Sequence, residues 1–473
     1  MTALPARRFG AAPAAELLAL GGLGAAALAF GALVAVKPAF AAAALALGGA
    51  AALAWFAPVA NFTLLVFLIA IVPYGLQNQY SLGGGHDSPG LLASDLVLTL
   101  GLARAAVSLA QARLDRRTRI VCLALIAFLG IGALQMLHGL FEARALSAVG
   151  AEYRVFVVLG GSALIAVSLL LDPGTRRRLL YGMVVLGLAL GAWAIVQWTV
   201  DIPLGEEQDV GVREGILQTT SGRGQLQGGL FSFPVATIMA AAALLSGTIR
   251  SRAGTGVAWA ILVLNLVGLV LTYERTFWVT TALGLLLVAA TMSRRARIRA
   301  LFWGPLALVV FFGVMSTITP DTLTAARERL LSLGSYESDN SLRFRLTESR
   351  RVIEQIEESP VYGSGLAASV YWGRPWEGVL PTERTFAHNA YLWLAWKLGL
   401  VGAVLLVGAI LFVLIGRAPP TASPLFASLR TGAKAALLAL ALTSVTFPAF
   451  TLLSASAGLG LLIAFSVVPM RWR

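Results

Sequence analysis

Residues 341–402 read SLRFRLTESRRVIEQIEESPVYGSGLAASVYWGRPWEGVLPTERTFAHNAYLWLAWKLGLVG. This segment begins as a polar, charged stretch and ends inside a long apolar run, with His388 and Asn389 at the join. Most of the remaining chain consists of apolar runs. If the protein performs chemistry, we expect it at this junction.

The composition predicts a polytopic membrane protein. Of 473 residues, 58% are hydrophobic and 12% are charged, and the mean hydropathy is +0.80, which is more apolar than a soluble core of this length requires. The net charge of +13 would suit nucleic acid, but the basic residues form short clusters between apolar runs, as in cytoplasmic loops. We therefore expect membrane lipids and no nucleic acid as partners. Cys122 is the one cysteine, which excludes an intramolecular disulfide.

The apolar runs predict an all-α membrane protein of about 12–14 spanning helices. Alanine and glycine are abundant in many of them, which suits close helix packing in lipid. The first run follows Arg7 and Arg8 and is too long for a signal peptide, so we interpret it as a retained helix. The runs lie at 13–36, 38–56, 58–74, 91–112, 119–140, 151–171, 179–200, 230–248, 256–273, 276–292, 300–318, 388–415, 433–447 and 450–469.

Charge alternation predicts the orientation. Clusters of arginine at 113–119, 176–178, 250–252, 294–299, 417–434 and 471–473 mark alternate loops, while the loops between them are poor in bases or balanced by acids. This predicts cytoplasmic termini and two large outward-facing loops. The predicted organisation is helices 1–11 within 1–318, with an outer loop at 201–229, a large periplasmic loop at 319–387, and the last three helices within 388–473.

The large outer loop contains a predicted amphipathic helix. Leu342, Leu346, Ile353 and Ile356 recur at helical spacing and predict the face that lies on the membrane domain. Asn340 or Ser341 can cap its start, and Pro360 follows its end. After it, the glycines at 363, 365 and 373 predict an irregular return to the membrane near His388.

Ionisable residues in or beside the apolar runs are functional candidates, because their burial in hydrocarbon is costly. Several of them are expected near the outer ends of the helices, whereas a transporter more often places such groups at the midplane. The set comprises Asp95, Arg104, His138, Arg154, Arg275, Lys397 and His388, with Arg223 in the preceding outer loop.

Arginines gathered at an outer membrane surface suit a lipid-linked diphosphate, because guanidinium groups bind phosphate oxygens in pairs and keep their charge. A histidine beside them can act as general base, or can hold a leaving oxygen or an acceptor hydroxyl. We find no paired-carboxylate or histidine-rich cluster in the sequence that resembles a metal site, and we expect no cofactor.

Structural explanations compete with these roles. The arginines at 343, 345, 350 and 351 have carboxylates at helical spacing, as Glu354 follows Arg350 by four, so most of them are expected to be surface charges. Arg343 and Arg345 are the better pair for substrate. Glu152 and Arg154 can simply pair with each other, His138 can be a polar residue at a helix end, and Arg104 and Lys397 can pair in the bundle or snorkel. For His388, the position at a membrane boundary favours a functional role over a structural one.

At this point the sequence resembles the O-antigen ligase and polymerase family of bacterial envelope glycosyltransferases. HNAYL at 388–392 and LGLVG at 398–402 resemble its HN-x-(aromatic)-L…GLxG helix start. SLRFR at 341–345 and SPVYGSGL at 359–366 resemble its loop helix and the hP-x-x-G-x-G run that follows. GGLFSFP at 228–234 and TYER at 272–275 are weaker matches. Ser232 and Val235 replace asparagines of the family pattern, and Thr276 replaces a glycine.

The resemblance implies glycan transfer outside the bacterial cytoplasmic membrane without a metal. The implied donor is a saccharide chain on undecaprenyl diphosphate, and the acceptor is a glycan or lipid A-core hydroxyl. His388 would position or deprotonate the acceptor, supported by Asn389 and Tyr391. The arginines that would hold the diphosphate are Arg154, Arg275, Arg223 and one of Arg343 and Arg345.

Three acceptors remain open within the family: another lipid-linked repeat (a polymerase), lipid A-core (a ligase), or a protein serine or threonine (an O-oligosaccharyltransferase). A lipid or polysaccharide transporter also predicts many helices, but it would favour inverted repeats and midplane charges. A purely structural subunit does not explain the large loop that returns to His388.

Overall fold

The structure, a computed structural model, describes residues 38–72, 90–200, 231–249, 251–272, 274–318, 340–374, 379–417, 421 and 423–470. Within these residues it contains fourteen α-helices, a short 3-10 helix at Ala449–Thr451 and one β-hairpin. The helices are α1 Pro38–Phe56, α2 Pro58–Ala70, α3 Ala93–Gln111, α4 Arg116–Phe141, α5 Leu146–Leu171, α6 Pro173–Val200, α7 Ser232–Ser246, α8 Arg252–Leu271, α9 Arg275–Thr291, α10 Arg294–Ile318, α11 Asn340–Glu358, α12 Ala390–Ile415, α13 Pro424–Thr443 and α14 Leu453–Val467.

Seven of the described helices are long and apolar enough to cross a membrane, namely α3, α4, α5, most of α6, α8, α12 and α13. This confirms the predicted all-α polytopic membrane fold. The predicted run at 433–447 is part of a longer helix, because α13 begins nine residues earlier at Pro424. The predicted first helix at 13–36 and the outer loop at 201–229 lie outside the described residues.

Helix α5 is the most enclosed of the long helices and packs most extensively against α14. Small residues allow this close approach: a Cβ atom added at Gly460 of α14 would lie 2.6 Å from the Leu159 carbonyl oxygen. Glycine at such a crossing lets two helix backbones come into contact. In lipid, where the hydrophobic effect does not drive helices together, this close packing stabilises their association.

Basic side chains at one end of the bundle bind the last carbonyl groups of α12. The Arg117 Nη2 atom donates to the Val413 carbonyl at 3.0 Å, and the Lys434 ammonium donates to the Gly416 carbonyl at 2.6 Å. The final carbonyls of a helix have no partner within it and carry partial negative charge. Arg117 and Lys434 supply hydrogen bonds to these carbonyls of α12, and their positive charges offset the partial negative charge.

Arginines also bind the carbonyl groups at the C-terminal ends of α14 and α5. Arg430 donates from Nη2 to the Val468 carbonyl at 2.6 Å, and Arg176 donates from Nε to the Leu170 carbonyl at 2.9 Å. We call this end of the molecule, which carries Arg117, Arg176, Arg430 and Lys434, the basic end. Members of three of the six arginine clusters predicted to share one side of the membrane thus lie at one end of the bundle.

Helix α12 is broken at Gly399, which has φ 67° and ψ 175°. Before the break, the Trp393 ring packs 5.3 Å from the Phe156 ring, and the Lys397 ammonium reaches Glu152. These contacts run in opposite order along α5 and the first part of α12. The first part of α12 therefore runs against the direction of α5.

The second part of α12 follows a different course. A Cβ atom at Gly402 would lie 3.3 Å from Ile131, and Arg117 contacts Val413, so this part runs antiparallel to α4. Helices α4 and α5 are themselves antiparallel, since Gly139 near the end of α4 faces Val149 near the start of α5. The chain therefore changes direction at Gly399, at the end of the bundle opposite the basic end.

The return from α11 to α12 contains a β-hairpin that the glycine pattern did not predict. Strands β1 (Val370–Arg374) and β2 (Val379–Arg384) pair antiparallel, with Tyr371 opposite Glu383 and Trp372 opposite Thr382. Valine, tyrosine and tryptophan favour strands because their side chains fit a half-buried pleated surface. The expected irregular return is thus correct only for the residues between α11 and β1.

Candidate functional site

Helix α11 lies against the start of α12 and against β1 through one buried stripe. Glu348 and Val352 are fully buried, and the Phe344 ring lies 4.4 Å from the Trp372 ring of β1. These three residues follow one another at intervals of four and therefore share a face of the helix. The helix itself was predicted, and its 19 residues form the amphipathic element expected in this loop.

The face of α11 that contacts the protein differs from the prediction. Leu346 and Ile353, which were expected to lie on the membrane domain, are 55% and 41% exposed. The hydrophobic spacing misled because the buried stripe includes a carboxylate, Glu348, in place of an apolar residue.

The Glu348 carboxylate binds His388 in two ways. Its Oε2 atom accepts the His388 backbone N–H at 2.8 Å, and both carboxylate oxygens lie 3.1 Å from the His388 Nδ1 atom. The Glu348 side chain is 0% exposed, whereas that of His388 is 20% exposed. A molecule at the surface can therefore reach the imidazole but not the carboxylate.

With the Glu348 carboxylate ionised, this geometry fixes the tautomer of His388. A carboxylate only accepts hydrogen bonds, so its contact with Nδ1 requires the proton to be on Nδ1. In the neutral ring, Nε2 then keeps a lone pair that can accept a proton. A buried carboxylate behind the histidine also stabilises the imidazolium that proton transfer would create, as in catalytic triads.

Two aromatic rings pack against the imidazole. The Phe344 ring of α11 lies 5.4 Å from the His388 ring, and the Phe386 ring lies 5.3 Å from it, both in edge-on arrangements. Phe386 is buried. These contacts restrict the rotation of the imidazole, so the Glu348 hydrogen bonds and the rings together fix one orientation.

Asn389 and Tyr391 support the site by anchoring α12. The Asn389 side chain accepts hydrogen bonds from the Tyr391 and Leu392 backbone N–H groups at 3.0 and 3.1 Å, so it is the N-cap of the helix. The Tyr391 hydroxyl donates to the Ala441 carbonyl of α13 at 2.7 Å. Both side chains therefore position the backbone that carries His388.

The break in α12 receives the loop that follows α11. The Leu400 backbone N–H donates to the Pro360 carbonyl at 2.8 Å, and the Ser364 N–H donates to the Trp396 carbonyl at 2.7 Å. A Cβ atom at Gly399 would lie 2.1 Å from the Val361 carbonyl oxygen. Only glycine fits this position, because its φ is positive and another backbone occupies the space of a side chain.

The two sequence motifs therefore form one structural unit. Gly363 and Gly365 have φ values of 75° and 82°, so the SPVYGSGL run turns sharply at both positions. Gly363 packs directly on Gly399, where its Cβ would lie 2.3 Å from the Gly399 nitrogen. Gly363 of the loop motif and Gly399 of the helix motif are explained by the same contact.

A buried ion pair supports this loop from beneath. The Lys397 ammonium lies 2.9 Å from the Glu152 Oε1 atom and also donates to the Ala368 carbonyl at 2.5 Å. The Glu152 Oε2 atom accepts the Ala367 backbone N–H at 2.7 Å. Irregular backbone at membrane depth is tolerated where protein groups satisfy its hydrogen bonds, and this pair does so.

Arg144 and Gln135 complete the support. The Arg144 Nη1 atom donates to the Ser364 and Leu366 carbonyls at 2.8 Å each, and the Gln135 side chain donates to the Tyr362 carbonyl at 2.5 Å. His138, near the end of α4, lies 3.2 Å from Gln135 through its Nδ1 atom, as expected of a polar residue at a helix end.

The charged residues of the membrane helices form different ion pairs from those that the sequence suggested. Arg154 pairs with Asp95 and not with Glu152: its Nε atom lies 3.0 Å from the Asp95 carboxylate, and its Nη2 atom donates to the Gly90 carbonyl at 2.8 Å. Lys397 is fully buried with Glu152 and does not snorkel. On a helix, residues two apart such as Glu152 and Arg154 do not face each other.

Arg275 and His388 flank the same end of α13. Arg275 is the first residue of α9, and the hydroxyl of its neighbour Thr276 lies 3.2 Å from that of Thr446. Two residues before Thr446, the Ser444 carbonyl accepts the Ala390 backbone N–H at 2.9 Å. The end of α13 thus connects the start of α9 with the start of α12.

The remaining arginine candidates are distributed unevenly. Arg345 is half-buried on α11, beside the residue whose ring packs on His388. Arg350 and Arg351 are exposed, and Arg351 pairs with Glu354 at 2.9 Å as a surface charge, as expected. Arg223 and the Arg343 side chain lie outside the part of the chain that the structure describes.

Glu348 is the residue of this site that the sequence did not single out. It was one of ten acids in the large loop and had no distinguishing motif. A signal was present, because Phe344, Glu348, Val352 and Ile356 form a stripe at intervals of four in which one carboxylate interrupts apolar residues. A carboxylate on such a stripe needs a buried partner.

A family comparison covers this part of the chain. A family model described as O-Antigen ligase matches residues 260–407. This segment matches the O-antigen ligase family. It includes Arg275, α11, the loop motif and His388, and it confirms the resemblance predicted from residues 341–402. The match supports an enzyme, a membrane glycosyltransferase of the O-antigen ligase or polymerase type. No curated protein matches the chain in sequence.

Proposed function

We propose that the protein transfers a saccharide chain from undecaprenyl diphosphate to a sugar hydroxyl, with His388 as the general base. The observation that carries the proposal is the Glu348–His388 pair within the segment that matches O-antigen ligase. A buried carboxylate, an imidazole with Nδ1 protonated and a partly exposed ring form the arrangement that general base catalysis requires.

In the proposed step, the acceptor hydroxyl gives its proton to His388 Nε2 while its oxygen bonds to the anomeric carbon of the donor sugar. The bond from that carbon to the diphosphate oxygen breaks, and the diphosphate leaves with the electron pair. Because the leaving group is already activated, positioning and charge stabilisation supply most of the rate.

Arginines neutralise the departing diphosphate in this proposal. Arg275 and Arg345 are favoured by their positions beside the end of α13 and beside the His388 ring contact. Asp95 holds the Arg154 guanidinium in one orientation, which suits a preorganised phosphate contact. Arg223 and Arg343 remain candidates from the sequence. The proposal needs no metal, so we expect activity to survive chelation of divalent cations.

The proposed location is the bacterial cytoplasmic membrane, with the active site facing the periplasm and both termini in the cytoplasm. The arginine clusters support this orientation, because four of their members lie at the basic end, opposite the turn at Gly399. Basic residues favour cytoplasmic loops.

His388→Ala is the direct test in cells. We expect loss of polymer or of ligated surface polysaccharide at normal protein level. His138→Ala is the matched control, because His138 is also a solvent-accessible histidine but contacts Gln135 and not Glu348. Unchanged polysaccharide in His388→Ala would refute the assignment of the base.

Arg275→Lys tests the diphosphate contact. Lysine keeps the charge but loses the planar fork, so we expect a loss of about tenfold or more in transfer rate. Arg351→Lys, in an exposed pair with Glu354, is the control and is expected to retain activity. Full activity of Arg275→Lys would argue against bidentate phosphate binding.

The identity of the acceptor distinguishes a polymerase, a ligase and a protein glycosyltransferase. In a deletion strain, one repeat attached to core indicates a polymerase, whereas free lipid-linked polymer with bare core indicates a ligase. We favour these two outcomes over a protein acceptor, which would leave surface glycan intact and remove glycan from a protein. Accumulation of donor on the cytoplasmic face would instead indicate a transporter.

A further inference from the structure

A large cavity lies among six helices of the bundle. Its volume is about 680 Å³, which is within the usual range of about 300–1,000 Å³ for ligand pockets. Its walls are apolar and come from α2, α6, α7, α8, α13 and α14. One representative of each, in that order, is Val66, Leu190, Met239, Ile261, Leu429 and Leu461.

The cavity has one charged mouth. Arg176 and Arg177, at the start of α6, line it at the basic end, and they are the charged residues among those that line the described cavity. Arg176 is buried and stacks on Phe426 of α13, whereas Arg177 is exposed and lies 3.3 Å from the Tyr181 hydroxyl through its Nη2 atom. The mouth can therefore hold an anion.

The length of the cavity suggests what occupies it. Along α7 its lining runs from Ala243, towards the basic end, to Ser232, a distance of about 16 Å at 1.5 Å per residue. One leaflet of a bilayer has a hydrocarbon depth of about 15 Å. The cavity thus matches one acyl chain that enters at the basic end, and it is too short for a fully enclosed polyprenyl chain.

Gly458 gives independent support for open space. This glycine of α14 lines the cavity, and a Cβ atom added there would meet no atom within 4 Å. Apolar space of this size stays dry, and leaving it empty loses dispersion contacts along the whole lining. In a membrane, a lipid chain is the available apolar filler.

We propose that this cavity is a binding site for one anionic phospholipid. An acyl chain fills the space beside Gly458, and the headgroup phosphate lies against Arg177 at the mouth. The site does not depend on the proposed transferase activity, because Arg177 and Gly458 lie outside the contacts of His388 with Glu348, Phe344 and Phe386.

Native mass spectrometry of the full chain, purified from nanodiscs that contain equal phosphatidylglycerol and phosphatidylcholine, tests the site. We expect the wild type to retain phosphatidylglycerol. Arg177→Gln should lower the preference for phosphatidylglycerol about fivefold, since a basic residue at an anionic lipid surface contributes about 1 kcal/mol. Gly458→Leu should lower the occupancy of both lipids.

Matched controls separate the site from general lipid contact. Arg178→Gln removes the neighbouring exposed charge that does not line the cavity, and Gly408→Leu fills open space at a glycine of α12 outside it. Both should retain wild-type lipid binding. If Gly458→Leu fails to fold, Ala243→Leu fills the cavity from α7 instead.

Three results would overturn the proposal. Equal retention of both lipids by the wild type would remove the role of the headgroup. Undiminished binding in the cavity-filling variants would place the lipid elsewhere. Preferential retention of undecaprenyl phosphate, added as a third arm, would show that the occupant is a polyprenyl chain and not a phospholipid.

Discussion

The Lys397 ammonium lies 2.9 Å from the Glu152 carboxylate, and both side chains are buried. Each member also binds the loop between α11 and β1, at Ala368 and at Ala367. The pair therefore connects α5, α12 and the loop at one point. Its role is to hold irregular backbone in place beside the region of His388.

Lys397→Met is expected to destabilise the protein by about 3–5 kcal/mol, because it leaves the Glu152 carboxylate buried without its cation. Unfolding in detergent by denaturant or heat measures this. Arg351→Met removes an exposed pair partner on α11 and should cost less than about 1 kcal/mol. Equal effects of the two variants would contradict a buried, structural pair.

A double-mutant cycle refines this prediction. Lys397→Met with Glu152→Gln should cost less than the sum of the single changes, with a coupling of about 0.5–3 kcal/mol. Additive costs would mean that the two residues act separately on the loop.

Gly399→Ala should disrupt the site, whereas Gly408→Ala in the same helix should be tolerated. At Gly399 a Cβ would collide with the Val361 carbonyl at a positive φ, while at Gly408 it meets open space. Removal of glycine from a helix interior stabilises by about 0.5–1 kcal/mol. Limited proteolysis of the large loop and thermal unfolding measure both effects. A stable, protease-resistant Gly399→Ala protein would refute the packed contact.

Glu348→Gln should lower the transfer rate about 10²-fold or more with little loss of stability, because the amide cannot stabilise an imidazolium. The pH profile of the rate should change shape, which loss of packing alone would not cause. Glu348→Asp should restore part of the rate.

Glu357→Gln, on the exposed side of α11, is the control for this change. It should match the wild type in rate and pH profile. A Glu348→Gln enzyme with the wild-type profile would show that the carboxylate has no part in orienting His388.

Asp172 predicts a pH effect outside the membrane helices. Partial burial acts to raise the pKa of its carboxyl, but hydrogen bonds from Thr175 and Gly174 at the start of α6 outweigh burial and hold it below the ordinary value of 3.8. A lowered pKa in the folded state contributes stability above pH 3.8, and this contribution is lost as the pH falls through the folded-state pKa.

Asp172→Asn keeps a good capping residue and removes the titration. Its unfolding temperature should therefore fall less than that of the wild type between pH 6 and pH 3. An equal fall in both proteins would contradict the prediction.

The sequence predicted the helices, the common end of three basic clusters, and the helix of the large loop, because hydrophobic length and charge placement are local properties. It also indicated His388 and the glycine motifs. The glycines could be recognised but not explained, since the reason for Gly399 is a carbonyl at Val361, distant in the chain.

Pairings across the bundle could not be derived in the same way. Asp95 with Arg154, Glu152 with Lys397 and Glu348 with His388 each join separate helices or a helix and a loop. A charged residue in an apolar run indicates that it is paired in the folded protein. Which residue it pairs with depends on how the helices are oriented and packed. The exposed Leu346 and Ile353 show the same limit for an amphipathic face.

The contact between Gly363 and Gly399 has a consequence for the way this chain can be divided. Consider a chimera that receives only the outer loop of another protein. Its loop turn would pack directly on the break in α12 of this chain, and the two backbones leave no space for either to shift. A graft of this region from another protein therefore requires 340–402 to be moved as one module, together with the Glu152 that contacts it.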